Sequence, residues 1–166
     1  MAAKASRVNI SMQATLPFVV LAPLSALVLG AIGLGGGVYE TLVIDPVWPD
    51  NPAIIRRGHG GISRARFWAP AHSLYELALL ISLWMVWSVP AARWWTIAAL
   101  AIHLAARAWS FAYFIPRALR FEKLGELRED QRREALRWTR LSRCRPLLSV
   151  GSIVALCVVI LQLALR

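Results

Sequence analysis

The stretch GGGVYETLVIDPVW, residues 35–48, places a tyrosine and a glutamate near the end of a long apolar segment. No charged residue occurs anywhere from residue 15 to residue 39. A helix needs roughly 20 apolar residues to cross the hydrocarbon core of a bilayer. The segment 15–44 is therefore predicted to be a transmembrane helix that carries Glu40 about one turn before its end.

Three further apolar blocks follow this one. Of the 166 residues, 58% are apolar, against about half in a soluble domain. The first block is too long to be a cleaved signal peptide, so it is predicted to be retained. The predicted helices are 15–44, 70–89, 93–115 and 147–165, with loops at 45–69 and 117–146. This pattern predicts one all-α domain, 1–166: an integral membrane four-helix up-down bundle, with a charged cytoplasmic helical extension between helices 3 and 4.

Basic residues give the orientation of this bundle. The two long loops hold fourteen Lys and Arg residues, whereas the opposite side holds four. Positive charge accumulates on the cytoplasmic side of membrane proteins. Both termini are therefore predicted to be extracytoplasmic, in the cell (inner) membrane. The net charge of +10 follows from this topology, so we expect membrane lipid as a partner and no nucleic acid.

Glycines cluster in the first helix, just before its polar end. Gly30, Gly33 and the run 35–37 allow close helix packing. They also weaken a helix by up to ~1 kcal/mol each relative to alanine. Two interpretations stay open: a kink that aims Tyr39 and Glu40 inward, or tight packing alone.

Charged side chains from three helices are expected at one depth. At ~1.5 Å per residue, Glu40 and Glu76 lie roughly 8–9 Å inside the cytoplasmic boundary and Arg107 about 13 Å inside. A charge in the bilayer is costly unless it faces the bundle interior and is paired. We therefore predict a cluster in which Glu40, Glu76 and Arg107 pair with one another between helices 1, 2 and 3.

Three interpretations of this cluster remain: an ion-paired knot that fixes helix register, a metal site, or a pocket for an amphipathic ligand. The same arithmetic places His72 at about 3 Å and His103 near 19 Å. This gap disfavours a metal held by both histidines, and no metal-binding motif occurs. No metal or other cofactor is predicted. Cys144 and Cys157 differ in depth by nearly 20 Å on the same scale, so no disulfide is expected between them.

Three stretches, YETLVIDPVW, RFWAPAHSLYELALL and RAWSFAYFIPRALRFE, resemble the small four-helix integral membrane proteins related to anthrone oxygenases. The resemblance covers the chain from about residue 30 to the last helix. Members with activity oxidise aromatic anthrones to anthraquinones, apparently without a metal or flavin. The resemblance implies a similar fold and an oxidation of this kind, but it assigns no residue.

The leading hypothesis is a small membrane oxidoreductase for a lipophilic phenolic or quinonoid compound. Glu76, with His72, would remove a proton, and Arg107 would stabilise the resulting oxyanion. Glu40, at the same depth, is the second candidate base. The residues expected to contact the substrate are Tyr39, Tyr75, His103, Trp109 and Tyr113. The alternative is a non-enzymatic accessory subunit or a binding protein for a lipophilic molecule. A transporter would need self-association into a homo-oligomer, because no inverted repeat occurs.

Overall fold

The protein is helical throughout the part that its computed structural model describes, residues 2–165, with side chains described for residues 19–165. No strand occurs within that range. The α-helices are α1 (Ala2–Tyr39), α2 (Arg64–Met85), α3 (Pro90–Trp109), α4 (Ile115–Phe121), α5 (Glu129–Ser142) and α6 (Arg145–Ala164). Two π-helical turns extend α1 and α3, at Glu40–Ile44 and Ser110–Phe114. Short 3₁₀ turns occur at Pro52–Ile55 and Arg57–His59. The all-α prediction is confirmed.

Three segments are long and apolar enough to cross a membrane, which indicates a membrane protein. They are Val19–Ile44, Pro90–Phe121 and Glu129–Ala164. They overlap the predicted helices 1, 3 and 4 over most of their length. α2 is not in this group, and it carries two arginines, a histidine and a glutamate along its 22 residues.

The four long helices pack in a ring. α1 contacts α2 and α6, and α3 contacts α6 and α2. Two glycines of α1 set the spacing to α2. A Cβ at Gly36 would lie 2.3 Å from the ring of Phe67, and one at Gly30 would lie 3.1 Å from Tyr75. Since α1 continues as a helix through residues 35–37, the glycines serve close packing. The departure from α-helical geometry comes later, at Glu40, where the π turn begins.

Two predicted boundaries are wrong, and a proline lies at each of them. α2 begins at Arg64, six residues before Pro70, which lies inside the helix. Arg64 forms ion pairs with carboxylates of the preceding segment, and these hold the first turn. Pro116 likewise does not end the third helix, which runs on to Phe121. In a regular α-helix, a proline ring clashes with the carbonyl four residues earlier. For Pro116 that carbonyl belongs to Ala112, which lies in the wider π turn Ser110–Phe114.

The two predicted loops pack into a small aromatic core at one end of the bundle. Trp48 is fully buried, with ring centroids 5.2 Å from Phe121 and 5.9 Å from Trp138. The segment 117–146 is therefore two helices, α4 and α5, and one face of α5 is buried. Ion pairs of 2.6 Å, Arg57–Glu122 and Arg132–Asp50, join the loops at their exposed side. This cap closes over the ends of α2 and α3, where the polar side chains gather.

Candidate functional site

Glu40 contacts the first two turns of α2. Its Oε1 accepts a hydrogen bond of 2.9 Å from Nε1 of Trp68 and lies 3.3 Å from Nε of Arg64. Arg64 also donates from Nη2 to Oδ1 of Asp45 at 3.4 Å. A buried charge is tolerated when it is paired and hydrogen-bonded. Glu40 therefore ties the end of helix 1 to the start of α2.

Asp45 completes this pairing in a buried position. It is only 2% exposed, and its Oδ2 has no hydrogen-bond partner. Burial raises the pKa of the Asp45 carboxyl from 3.8 to about 6, even though the nearby Arg64 guanidinium acts in the opposite direction. Loss of hydration costs the carboxylate more than the ion pair returns.

The predicted mutual pairing of Glu40, Glu76 and Arg107 is not present. Glu76 has a 39% exposed side chain, and its Oε2 lies 3.9 Å from Nε2 of His103. Among residues 19–165, no carboxylate oxygen lies within 4.0 Å of the Arg107 guanidinium. The prediction failed because Arg64 was assigned to a loop, whereas it stands in α2 and takes Glu40 as its partner.

His72 and His103 come together instead of lying at separate depths. Their ring centroids are 5.8 Å apart, so the predicted gap of about 16 Å is wrong. With α2 beginning at residue 64, His72 lies two turns inside the helix. It stacks on Trp68 at 5.0 Å, while Tyr75 meets His103 edge-on at 4.8 Å. Tyr75 and Ser152 share a hydrogen bond of 2.7 Å, which ties α2 to α6.

Two joined cavities lie against these side chains. The smaller, about 50 Å³, is lined by a mixture of polar and apolar residues, and its polar side chains include Tyr75, His103 and Ser149. The larger, about 320 Å³, extends along the apolar side chains of Phe111, Ile115 and Leu119. Six residues line both: Glu40, Trp68, His72, Arg107, Ser110 and Arg145. The volume of the larger cavity is that of a small-molecule site.

Several predicted residues stand apart from the cavities. Tyr39 is 57% exposed on the outer side of the helix, and Glu76 lines neither cavity. Trp109 and Tyr113 pack edge-on against Phe114, each at 5.0 Å, and they also miss both cavities. The structure thus places Glu40, His72, Tyr75, His103 and Arg107 at the site and leaves the other four outside it.

Sequence reasoning missed three side chains at the site: Arg64, Trp68 and Arg145. The two arginines were counted only as topology charges. A signal was present for two of them, because Arg64, Trp68 and His72 are four residues apart and so share one face of a helix. Arg145, in the first turn of α6, donates from Nη2 to Oγ of Ser142 at 2.8 Å.

Residues 19–165 contain no cluster of metal-ligating side chains. No three His, Cys, Asp or Glu side chains there come close enough to hold one ion. Cys144 and Cys157 are both free.

No family model, curated protein or solved structure matches the chain.

Proposed function

We propose that the chain is a four-span protein of the cell membrane, an up-down bundle with both termini extracytoplasmic. Three spans follow from apolar length, and the fourth is α2. Its outer face carries Leu74, Leu77, Leu80, Ile81 and Trp84, all exposed, while its polar side chains His72 and Tyr75 point toward α3 and α6. Exposed Trp84, Trp87, Trp94 and Trp95 gather at the α2–α3 turn, as an interfacial aromatic belt does. The distribution of arginines supports the orientation.

We propose further that the protein is a small oxidoreductase acting on a lipophilic phenolic or quinonoid compound. The observation that carries this proposal is the cavity of about 320 Å³, where an apolar wall faces the imidazole of His72. The wall suits an aromatic ring, and the imidazole suits removal of its acidic proton. His72 takes the role of base in place of Glu76, because Glu76 lies outside the cavity.

The proposed step is proton removal followed by oxidation with dioxygen. His72 accepts the proton of a phenol or of an anthrone C–H, which leaves an electron-rich anion. For a hydroquinone, two electrons and two protons pass to dioxygen and give the quinone and hydrogen peroxide. For an anthrone, one oxygen atom of dioxygen becomes a carbonyl on the CH₂ carbon. The two hydrogens of that carbon leave with the other oxygen atom as a water molecule. The resemblance to anthrone oxygenases supports the second form.

A binding protein without turnover is the second candidate. The observation in its favour is that both carboxylates lining the larger cavity are already ion-paired, Glu40 with Arg64 and Glu122 with Arg57. Neither is free to act as a base. An accessory subunit of a larger complex is the other non-enzymatic role, and it likewise needs no chemistry at the cavity.

Oxygen uptake and ligand affinity, measured together in detergent, separate the two candidates. The variants are His72→Gln and, as a control, His59→Gln, which changes an exposed loop histidine. The probes are an anthrone and an alkylhydroquinone. For an oxidoreductase, His72→Gln binds the probe normally but loses turnover by about 10²–10⁴-fold, while His59→Gln matches the wild type.

Each other outcome has a definite meaning. Binding by the wild type without oxygen uptake supports the binding protein. Full turnover in His72→Gln removes His72 as the base. No binding of either probe to the wild type overturns the cavity as a site for such compounds.

A further inference from the structure

Charge in the larger cavity is unbalanced. Four arginines line it, Arg57, Arg64, Arg107 and Arg145, against two glutamates. Each glutamate already forms an ion pair: Glu122 lies 2.6 Å from Arg57, and Glu40 lies 3.3 Å from Arg64. Asp45, behind the wall, is also a partner of Arg64. Among residues 19–165, no carboxylate oxygen lies within 4.0 Å of Arg107 or Arg145, so their two positive charges line the cavity without an ion-pair partner there.

Arg107 is held at the cavity by an aromatic ring. Its guanidinium carbon lies 4.5 Å from the ring centroid of Phe111, and its buried Nε has no hydrogen-bond partner. The Glu76 carboxylate attracts this guanidinium electrostatically, from a distance greater than 4.0 Å. A cation over an aromatic ring recovers part of the hydration energy that burial removes. Its N–H groups donate no hydrogen bond to another side chain or carbonyl among residues 19–165.

Arg145, in the first turn of α6, also lies against aromatic rings. Its guanidinium carbon lies 4.4 Å from the Phe114 ring centroid and 5.7 Å from that of Trp138. Ser142 accepts one hydrogen bond from it, whereas its buried Nε has no partner. Glu40 and Asp45 act on it only at longer range. Arg145 and Arg107 line both cavities, so they share the space where polar and apolar walls meet.

A desolvated guanidinium without a counter-charge is unfavourable. An anion in the cavity would supply that charge to both arginines at once. A neutral ligand would leave them as they are, and a cation would be repelled. The apolar wall along Phe111, Ile115 and Leu119 means that this anion carries a hydrophobic body.

We propose that the cavity binds its ligand as an oxyanion, with the charged oxygen against the guanidinium groups of Arg107 and Arg145. The ligand class is a lipophilic phenolate or enolate. This inference rests on the proposed function, since it describes the form in which that substrate binds. Stabilising the anion also makes the bound phenol a stronger acid, so the two arginines favour the species that dioxygen oxidises.

The test uses a nitrophenol with a long alkyl chain, whose ionisation is visible in its absorption spectrum, and its methyl ether, which cannot ionise. Both are titrated into the full-length protein in a nonionic detergent. An opposite charge within 4–6 Å lowers a pKa by about 1–3 units. We expect the pKa of the bound nitrophenol to fall by at least about one unit relative to empty micelles, and the phenol to bind about tenfold more tightly than the ether at neutral pH.

Three variants of Arg107 and Arg145, with one control variant, assign the effect. Arg107→Gln and Arg145→Gln should each remove much of the pKa shift, while Arg145→Lys, which keeps the charge, should retain most of it. Arg66→Gln changes an exposed arginine on the outside of α2 and should match the wild type. The ether should bind to all folded variants alike, which shows that the cavity is intact.

Two results would contradict the inference, and they differ. If phenol and ether bind the wild type equally, with no pKa shift, the oxyanion site is refuted while the lipophilic cavity stands. If neither probe binds, the proposed function fails, and the oxyanion site fails with it.

Discussion

Replacing Asp45 with asparagine should change how stability depends on pH. Folding raises the pKa of the Asp45 carboxyl from 3.8 to about 6, chiefly through burial. The folded protein then binds more protons than the unfolded chain between these values, so stability falls as pH rises from about 4 to about 6. A shift of this size corresponds to about 3 kcal/mol at 1.36 kcal/mol per pKa unit. Above pH 7 the full cost is present, and below pH 4 it is absent.

An asparagine at this position would keep the shape of the side chain and carry no charge at any pH. We therefore expect Asp45→Asn to melt at a higher temperature than the wild type at pH 7–8, with the difference vanishing near pH 4. The assay is thermal unfolding in one detergent across pH 4–8. Asp50→Asn, at an exposed ion pair with Arg132, is the control and should change stability by about 0–1 kcal/mol. Parallel curves for Asp45→Asn and the wild type across pH 4–8 would contradict this expectation.

Three other predictions test the helix packing, the site and the topology. Gly36→Leu should lower the melting temperature, because its Cβ would meet a phenylalanine ring 2.3 Å away, whereas Gly35→Leu, with no atom within 4 Å, should not. Trp68→Phe removes a hydrogen-bond donor to a buried carboxylate and should cost about 1–3 kcal/mol of unfolding free energy, while Trp84→Phe, at an exposed site, should leave stability unchanged. A cysteine introduced at Ser6 should react with a membrane-impermeant reagent in intact cells, and labelling only after permeabilisation would reverse the proposed orientation.

The helices could be predicted from sequence where apolar length decides them. The blocks 15–44, 93–115 and 147–165 largely coincide with the three segments able to cross a membrane. The boundary of α2 could not be predicted, because Pro70 signals a helix limit locally while the ion pairs of Arg64 are long-range contacts. Tertiary interactions here override a local preference.

The site was predictable in composition but not in pairing. Depth arithmetic brought Glu40 and Arg107 to one site, and both line the smaller cavity. It could not choose between Arg107 and Arg64 as the partner of Glu40, since that depends on which helix face turns inward. It also separated His72 from His103, because one misplaced helix start shifts every depth along α2.

Photolabelling is the most direct test of whether the cavity holds a lipophilic phenol. The wild-type protein in detergent would be irradiated with an alkylphenol that carries a diazirine, and the labelled peptides would be mapped by mass spectrometry. The account predicts adducts concentrated in residues 111–119, which form the apolar wall, and their loss when an alkylhydroquinone is added in excess. Adducts spread over the outer faces of the helices, at Leu74, Leu77 and Leu161 and insensitive to the competitor, would contradict it.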